Sequence, residues 1–169
     1  AGNTLNIGAD DVWSRDGQVP VASFVAIHPP VRNSAAGVVT MNVSEDVVGV
    51  DIAAFRMTRD SGSGPVNVPV DDLSVIELTG SQYTIDLNLK TSAAGAYVLS
   101  LVDTDPLSPV VDSSGNGIVT DTVSWQTNIV APSASLTPIT SPRNTIAATV
   151  TVNFTKPVTG LDIDDFVLT

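Results

Sequence analysis

The chain has 169 residues, a net charge of −11, 43% apolar residues and no cysteine. The acidic balance argues against nucleic acid or anionic lipid as a partner. The missing thiols exclude disulfides, thiolate catalysis and zinc–thiolate sites. The apolar content suffices for a core, and no apolar run approaches the roughly 20 residues that cross a membrane as a helix.

The opening residues Ala1-Gly2-Asn3 carry neither a basic nor an apolar leader segment, so the chain reads as an excised or processed piece. Segment Val21–Ile27 is the first strand candidate. Val39, Met41 and Val43 then alternate with polar residues, the mark of a half-buried strand. Ile52–Thr58 and Leu73–Leu78 are further strand candidates. Alternation returns at Tyr83, Ile85, Leu87 and Leu89, at Tyr97, Leu99 and Leu101, and at Val119, Val123 and Trp125. Turn signals separate these runs: "HPPVRNSAAG", "RDSGSGP", "LTGSQ", "KTSAAG" and "DTDPLSPVVDSSGNG". No stretch has a helical period with caps. "DIAAF" and "DIDDF" each allow one short helical turn, with Asp51 and Asp162 as its cap.

The chain also repeats itself. "MNVSEDVVGVDIAAFRMT" (Met41–Thr58) matches "VNFTKPVTGLDIDDFVLT" (Val152–Thr169) at an offset of 169 − 58 = 111. Held without gaps, the offset pairs Arg32, Asn33, Ala36, Val39, Thr40 and Asn42 with Arg143, Asn144, Ala147, Val150, Thr151 and Asn153. It pairs Val47, Gly49, Asp51, Ile52, Phe55 and Thr58 with Val158, Gly160, Asp162, Ile163, Phe166 and Thr169. "GNTLNIGADDVW" near the start likewise resembles "GNGIVTDTVSW" at Gly115–Trp125, with Trp13 matching Trp125. The expectation is a window on a tandem array with a period of about 111 residues: 1–17 the last strand of a preceding repeat, 18–129 a complete repeat, 130–169 the opening strands of the next.

About seven short strands per repeat of roughly 110 residues is the count of an all-β, immunoglobulin-like β-sandwich. The closing motif resembles the opening of bacterial Ig-like tandem repeats found in large secreted and surface proteins of the adhesin type, and "DSSGNGI" is similar to their turn before the last strand. The first copy departs from that pattern, with Glu45-Asp46 where an acidic residue and Pro are usual. Its Ala54 stands where the second copy has Asp165. The resemblance implies an extracellular, cell-surface location and neighbouring Ig-like repeats of the same or adjacent chains as partners.

Calcium is the sharpest chemical expectation. Ca²⁺ takes six to eight oxygen ligands. Asp103, Asp105, Asp112 and Asn116 bracket one loop, and the resemblance implies calcium at such loops near repeat junctions. The alternative is that these residues only cap turns. His28, the sole histidine, is matched by Ile139 and reads as structural. No Ser-His-Asp or paired-carboxylate arrangement is legible, so an enzyme is not expected.

The functional expectation is a non-catalytic structural module, a rod-like spacer or assembly unit of an adhesin, filament or biofilm matrix, with a surface or matrix partner and no membrane insertion. Two alternatives stand beside it. One is a filament subunit assembled by head-to-tail strand exchange. The other is a carbohydrate- or ligand-binding module, for which Tyr83 or Tyr97 would have to present a ring.

Overall fold

Period-two patterning sets the strands, and the computed structural model, which describes residues 15–103, 108–139, 142–146 and 149–167, places them in two units, residues 1–129 and 130–169. In their described residues both are all-β apart from one 3-10 turn each. Among the described residues no helix is long and apolar enough to cross a membrane. Trp13, Asp105, Ala147, Leu168 and Thr169 lie outside the described residues.

The first unit runs β1 (Ala22–Phe24), β2 (Val31–Arg32), β3 (Val38–Val43), β4 (Val47–Val48), β5 (Phe55–Asp60), β6 (Pro65–Val68), β7 (Val75–Thr79), β8 (Gln82–Asp86), β9 (Gly95–Leu101), β10 (Val111–Asp112) and β11 (Thr122–Thr127). One sheet has the order β1-β3-β8-β7, a second β2-β11-β9-β5-β6, and β10 pairs with β4 alone. All ladders are antiparallel except β2–β11.

The alternating residues point inward as expected. Val39, Met41, Val43, Tyr83 and Ile85 from one sheet and Phe55, Met57, Tyr97, Leu99, Leu101, Val123 and Trp125 from the other share a single core. Trp125 stacks on Tyr97 with ring centroids 5.3 Å apart and planes 3° apart. Phe24 meets Phe55 edge-on at 6.4 Å, one ring from each sheet. Two buried threonines tie the connections down. Thr91 Oγ1 accepts from Ala36 N and donates to Leu87 O, while Thr127 Oγ1 donates to Thr91 O. Each buried hydroxyl thus has a partner, without which its desolvation would be destabilising.

Three details differ from the expectation. Leu89 is 88% exposed because β8 ends at Asp86 and the chain turns at Leu87–Lys90, breaking the alternation. Val119 is also exposed, joined to Val21 by an isolated parallel bridge. The described residues of the first unit form eleven strands rather than about seven, and three of them, β2, β4 and β10, have only two residues.

The second unit contains β12 (Ala134–Leu136) and β13 (Val152–Phe154), paired antiparallel. Its ladder has the register of β1–β3. Ala134 faces Phe154 as Ala22 faces Val43, and Leu136 faces Val152 as Phe24 faces Met41. The flanking bonds also match. Ser133 N donates to Thr155 Oγ1 at 3.0 Å and Thr155 N to Ser133 O at 3.0 Å; Val21 N donates to Ser44 Oγ at 2.9 Å and Ser44 N to Val21 O at 3.0 Å. β12 matches β1 at 134 − 22 = 112 and β13 matches β3 at 154 − 43 = 111, so the connection is one residue shorter in the second unit.

The two 3-10 turns, Ile52–Ala54 and Ile163–Asp165, begin alike. Asp51 Oδ1 accepts from Ala53 N at 2.8 Å, and Asp162 Oδ1 accepts from Asp164 N at 2.9 Å. The Ala54/Asp165 difference has a local reason. Ala54 is buried, with its carbonyl accepting from Val102 N. Asp165 is exposed and its Oδ2 accepts from Asp162 N, completing a capping box.

Candidate functional site

The pairing of β10 with β4 sets Asp112 opposite Val47, and so brings Glu45 beside the Asp112 turn. Ligand oxygens of Asp16, Glu45 and Asp112 lie within 4.8 Å of one another. Asp16 is exposed, Glu45 half-buried and Asp112 buried.

Asp112 organises its own turn. Its Oδ1 accepts from Ser114 N and Asn116 N, both at 2.8 Å, and its Oδ2 accepts from Asn116 Nδ2 at 2.7 Å. Gly115, at φ +84°, takes the left-handed step that closes the loop. These donors hold the Asp112 carboxyl below the ordinary aspartate range, the Asn116 side-chain bond contributing most and burial opposing it. A carboxylate has about four lone-pair positions, and three of those on Asp112 are taken.

Glu45 is in the opposite condition. Its Oε1 is buried with no hydrogen-bond partner. Burial first, then the charges of Asp112 and Asp16, push its carboxyl above the ordinary glutamate range. Asp16 Oδ1 accepts from Gln18 N at 2.9 Å, and Asn116 Nδ2 reaches Asp16 O at 3.4 Å.

Of the expected ligand set, Asp112 and Asn116 come together, but Asn116 turns its amide nitrogen toward Asp112. Asp103 Oδ1 accepts from Val110 N at 2.9 Å, closing the loop that precedes β10. Sequence reasoning missed Glu45 and Asp16 as neighbours of Asp112, because the juxtaposition depends on a pair of two-residue strands distant in sequence. The unusual Glu45-Asp46 pair was the available signal.

The other singled-out residues take structural positions. His28 is exposed in a loop, joined to Pro29 by a cis peptide bond. Tyr83 and Tyr97 are buried and offer no ring face to a sugar. Tyr83 Oη lies 2.9 Å from Val47 O and 2.8 Å from Gly80 O, and Tyr97 Oη donates to Ala93 O.

No family model and no curated protein matches the chain. Among solved structures, the chain is similar to the N-terminal part of the bacterial S-layer protein SbsC, with TM-score 0.42 and 16% identity over 71% of this chain and 26% of that one. The S-layer protein rSbsC(31-844) gives TM-score 0.41 at 16% identity, over 71% of this chain and 15% of that one. The chain thus spans about a quarter of the first of these structures and less of the second. Scores and identities at this level assign neither a fold family nor an activity.

Proposed function

We propose that this chain is a stretch of a tandem array of immunoglobulin-like β-sandwich repeats, with a period of about 111 residues. It acts as a non-catalytic structural module, a rod-like spacer or assembly unit, at an extracellular bacterial surface. The observation that carries the repeat reading is the duplicated ladder, Ala22 facing Val43 and Ala134 facing Phe154 with the same flanking hydroxyl bonds. Repetition of one small unit gives length with stability local to each repeat, which suits a spacer better than a reaction centre. The surface location rests on the sequence resemblance. Labelling intact, unpermeabilised cells of the source organism with antibody to the first unit tests it. Labelling equal to that of lysed cells supports the proposal, and labelling only after lysis contradicts it.

A second reading, a structural cation, is favoured by the orphaned Glu45 Oε1 among three converging carboxylates. Asp16, Glu45 and Asp112 are the residues that would hold it. Calcium would neutralise their mutual repulsion and tie the residues before β1 to the β10 turn, with backbone carbonyls or water completing the six to eight oxygens it needs. Melting the chain with calcium and with EDTA is the test, and equal melting temperatures would sink it.

A further inference from the structure

The second unit presents, at its surface, apolar residues whose counterparts form the core of the first. Val39 is 3% exposed and Val150 49%; Phe55 is 0% exposed and Phe166 44%. The first unit also records what covers these positions. One edge of β3 carries β1, as one edge of β13 carries β12. The other edge of β3 carries β8, with Val39 opposite Ile85 and Met41 opposite Tyr83, and Gln82 Nε2 donating to Asn42 Oδ1 at 2.9 Å. Asn153 stands at the position of Asn42, and no strand of the second unit's described residues occupies that edge of β13.

A glycine makes the same point at the far side. Gly49 has φ +85° and packs so closely that a Cβ would lie 2.4 Å from Pro109 O. Gly160 keeps the left-handed conformation at φ +79°, yet a Cβ there would meet nothing within 4 Å. The place that Pro109 fills against Gly49 is open beside Gly160. Phe166 and Val167, which match the start of β5, are in no strand, because a strand needs a neighbour such as β9 to bond.

We propose that the free edge of β13 is an acceptor for one antiparallel strand with the alternation of β8, in the register Val150–Ile85 and Val152–Tyr83, supplied by a closing segment equivalent to residues 59–129. A folded second copy of this chain has neither β8 nor β9 free to donate. Its β8 is held between β3 and β7, and its β9 between β5 and β11. The occupant is therefore additional polypeptide of the same repeat sequence. Open edges pair readily with such strands, and a two-stranded ladder is marginal until they do.

This inference rests on the repeat reading above. Its test extends the full chain by joining a second copy of residues 59–129 after Thr169, and follows amide exchange strand by strand. Exchange at Val152–Phe154 is expected to slow by at least about 100-fold, toward that of Met41–Val43. The same extended chain with Tyr83→Asp and Ile85→Asp in the added copy alone should lose the gain while the first unit stays protected. An unchanged rate at Val152–Phe154 in the extended chain overturns the proposal, as does a gain that survives the two aspartates. Slow exchange in the unextended chain that appears only with rising concentration and a dimer mass also overturns it, since a second copy would then be the occupant. Failure of the surface reading is separate: a chain confined inside cells that still gains protection contradicts the location and supports this inference.

Discussion

Phe166 ends its 3-10 turn as Phe55 ends its own, each backbone N–H donating to the carbonyl of an isoleucine three residues earlier, Ile163 and Ile52. One ring is wholly buried and the other 44% exposed. The local chain geometry is therefore independent of burial, and the energetic weight of the two residues should differ sharply. Phe55→Ala empties a core position that touches both sheets and should cost about 3–5 kcal/mol. Phe166→Ala should cost no more than about 0.5 kcal/mol, as at other exposed sites. Urea unfolding followed by tryptophan fluorescence reads the first change, and amide exchange at Val152–Phe154 reads the second.

The carboxylates near β10 give two pH effects of opposite sign. Folded Glu45 holds its proton more tightly than the unfolded chain does. Its contribution therefore becomes unfavourable as pH rises from the ordinary glutamate range through its raised value. Glu45→Gln should raise the melting temperature at neutral pH, and the gain should vanish at acid pH where both side chains are neutral. Folded Asp112 releases its proton more readily. Its stabilisation is present above the ordinary aspartate range and is lost as pH falls through the lowered value. Asp112→Asn should lower the melting temperature at neutral pH, with the difference shrinking in acid. Melting curves of both variants across pH 3–8 check the two signs, the window being set by ordinary carboxylate values.

If calcium seats among these carboxylates, saturation at about 100 times its dissociation constant would add about 2.7 kcal/mol. The melting temperature should then rise with calcium and fall back with EDTA. Glu45→Gln should remove most of the calcium response while keeping its own gain in EDTA. Calorimetric scans of the two proteins in the two conditions separate repulsion from ligation.

Tyr83 is buried, and its hydroxyl reaches the carbonyls of Val47 and Gly80, joining β4 to the β7–β8 turn. Tyr83→Phe keeps the ring and removes the donor, and should cost about 1 kcal/mol. A glycan-binding role for this ring would instead leave stability unchanged and reduce sugar binding. Denaturant midpoints read the first outcome directly.

Much of this was legible in the residues because it depends on local rules. Alternation at Val39–Val43 and Tyr97–Leu101 needs only the two-residue period of a strand. The Asp51 and Asp162 caps need only a side chain two residues from an amide. Leu89 was misread because apolar alternation runs past the point where the backbone turns. The Asp16–Glu45–Asp112 cluster was hidden because the β4–β10 ladder that creates it has two residues per strand, too short to pattern. The expected ligand Asp103 has its own work, closing a loop onto Val110.

The proposed repeat makes residues 130–169 an opening part that lacks counterparts of β8 and β9 among its described residues. Native-state amide exchange on the 169-residue chain is the decisive measurement. Val152–Phe154 should exchange at least about 100-fold faster than the matching Met41–Val43, because two strands alone bury too little to hold a ladder shut. Equal protection of the two ladders in a monomeric chain would contradict it.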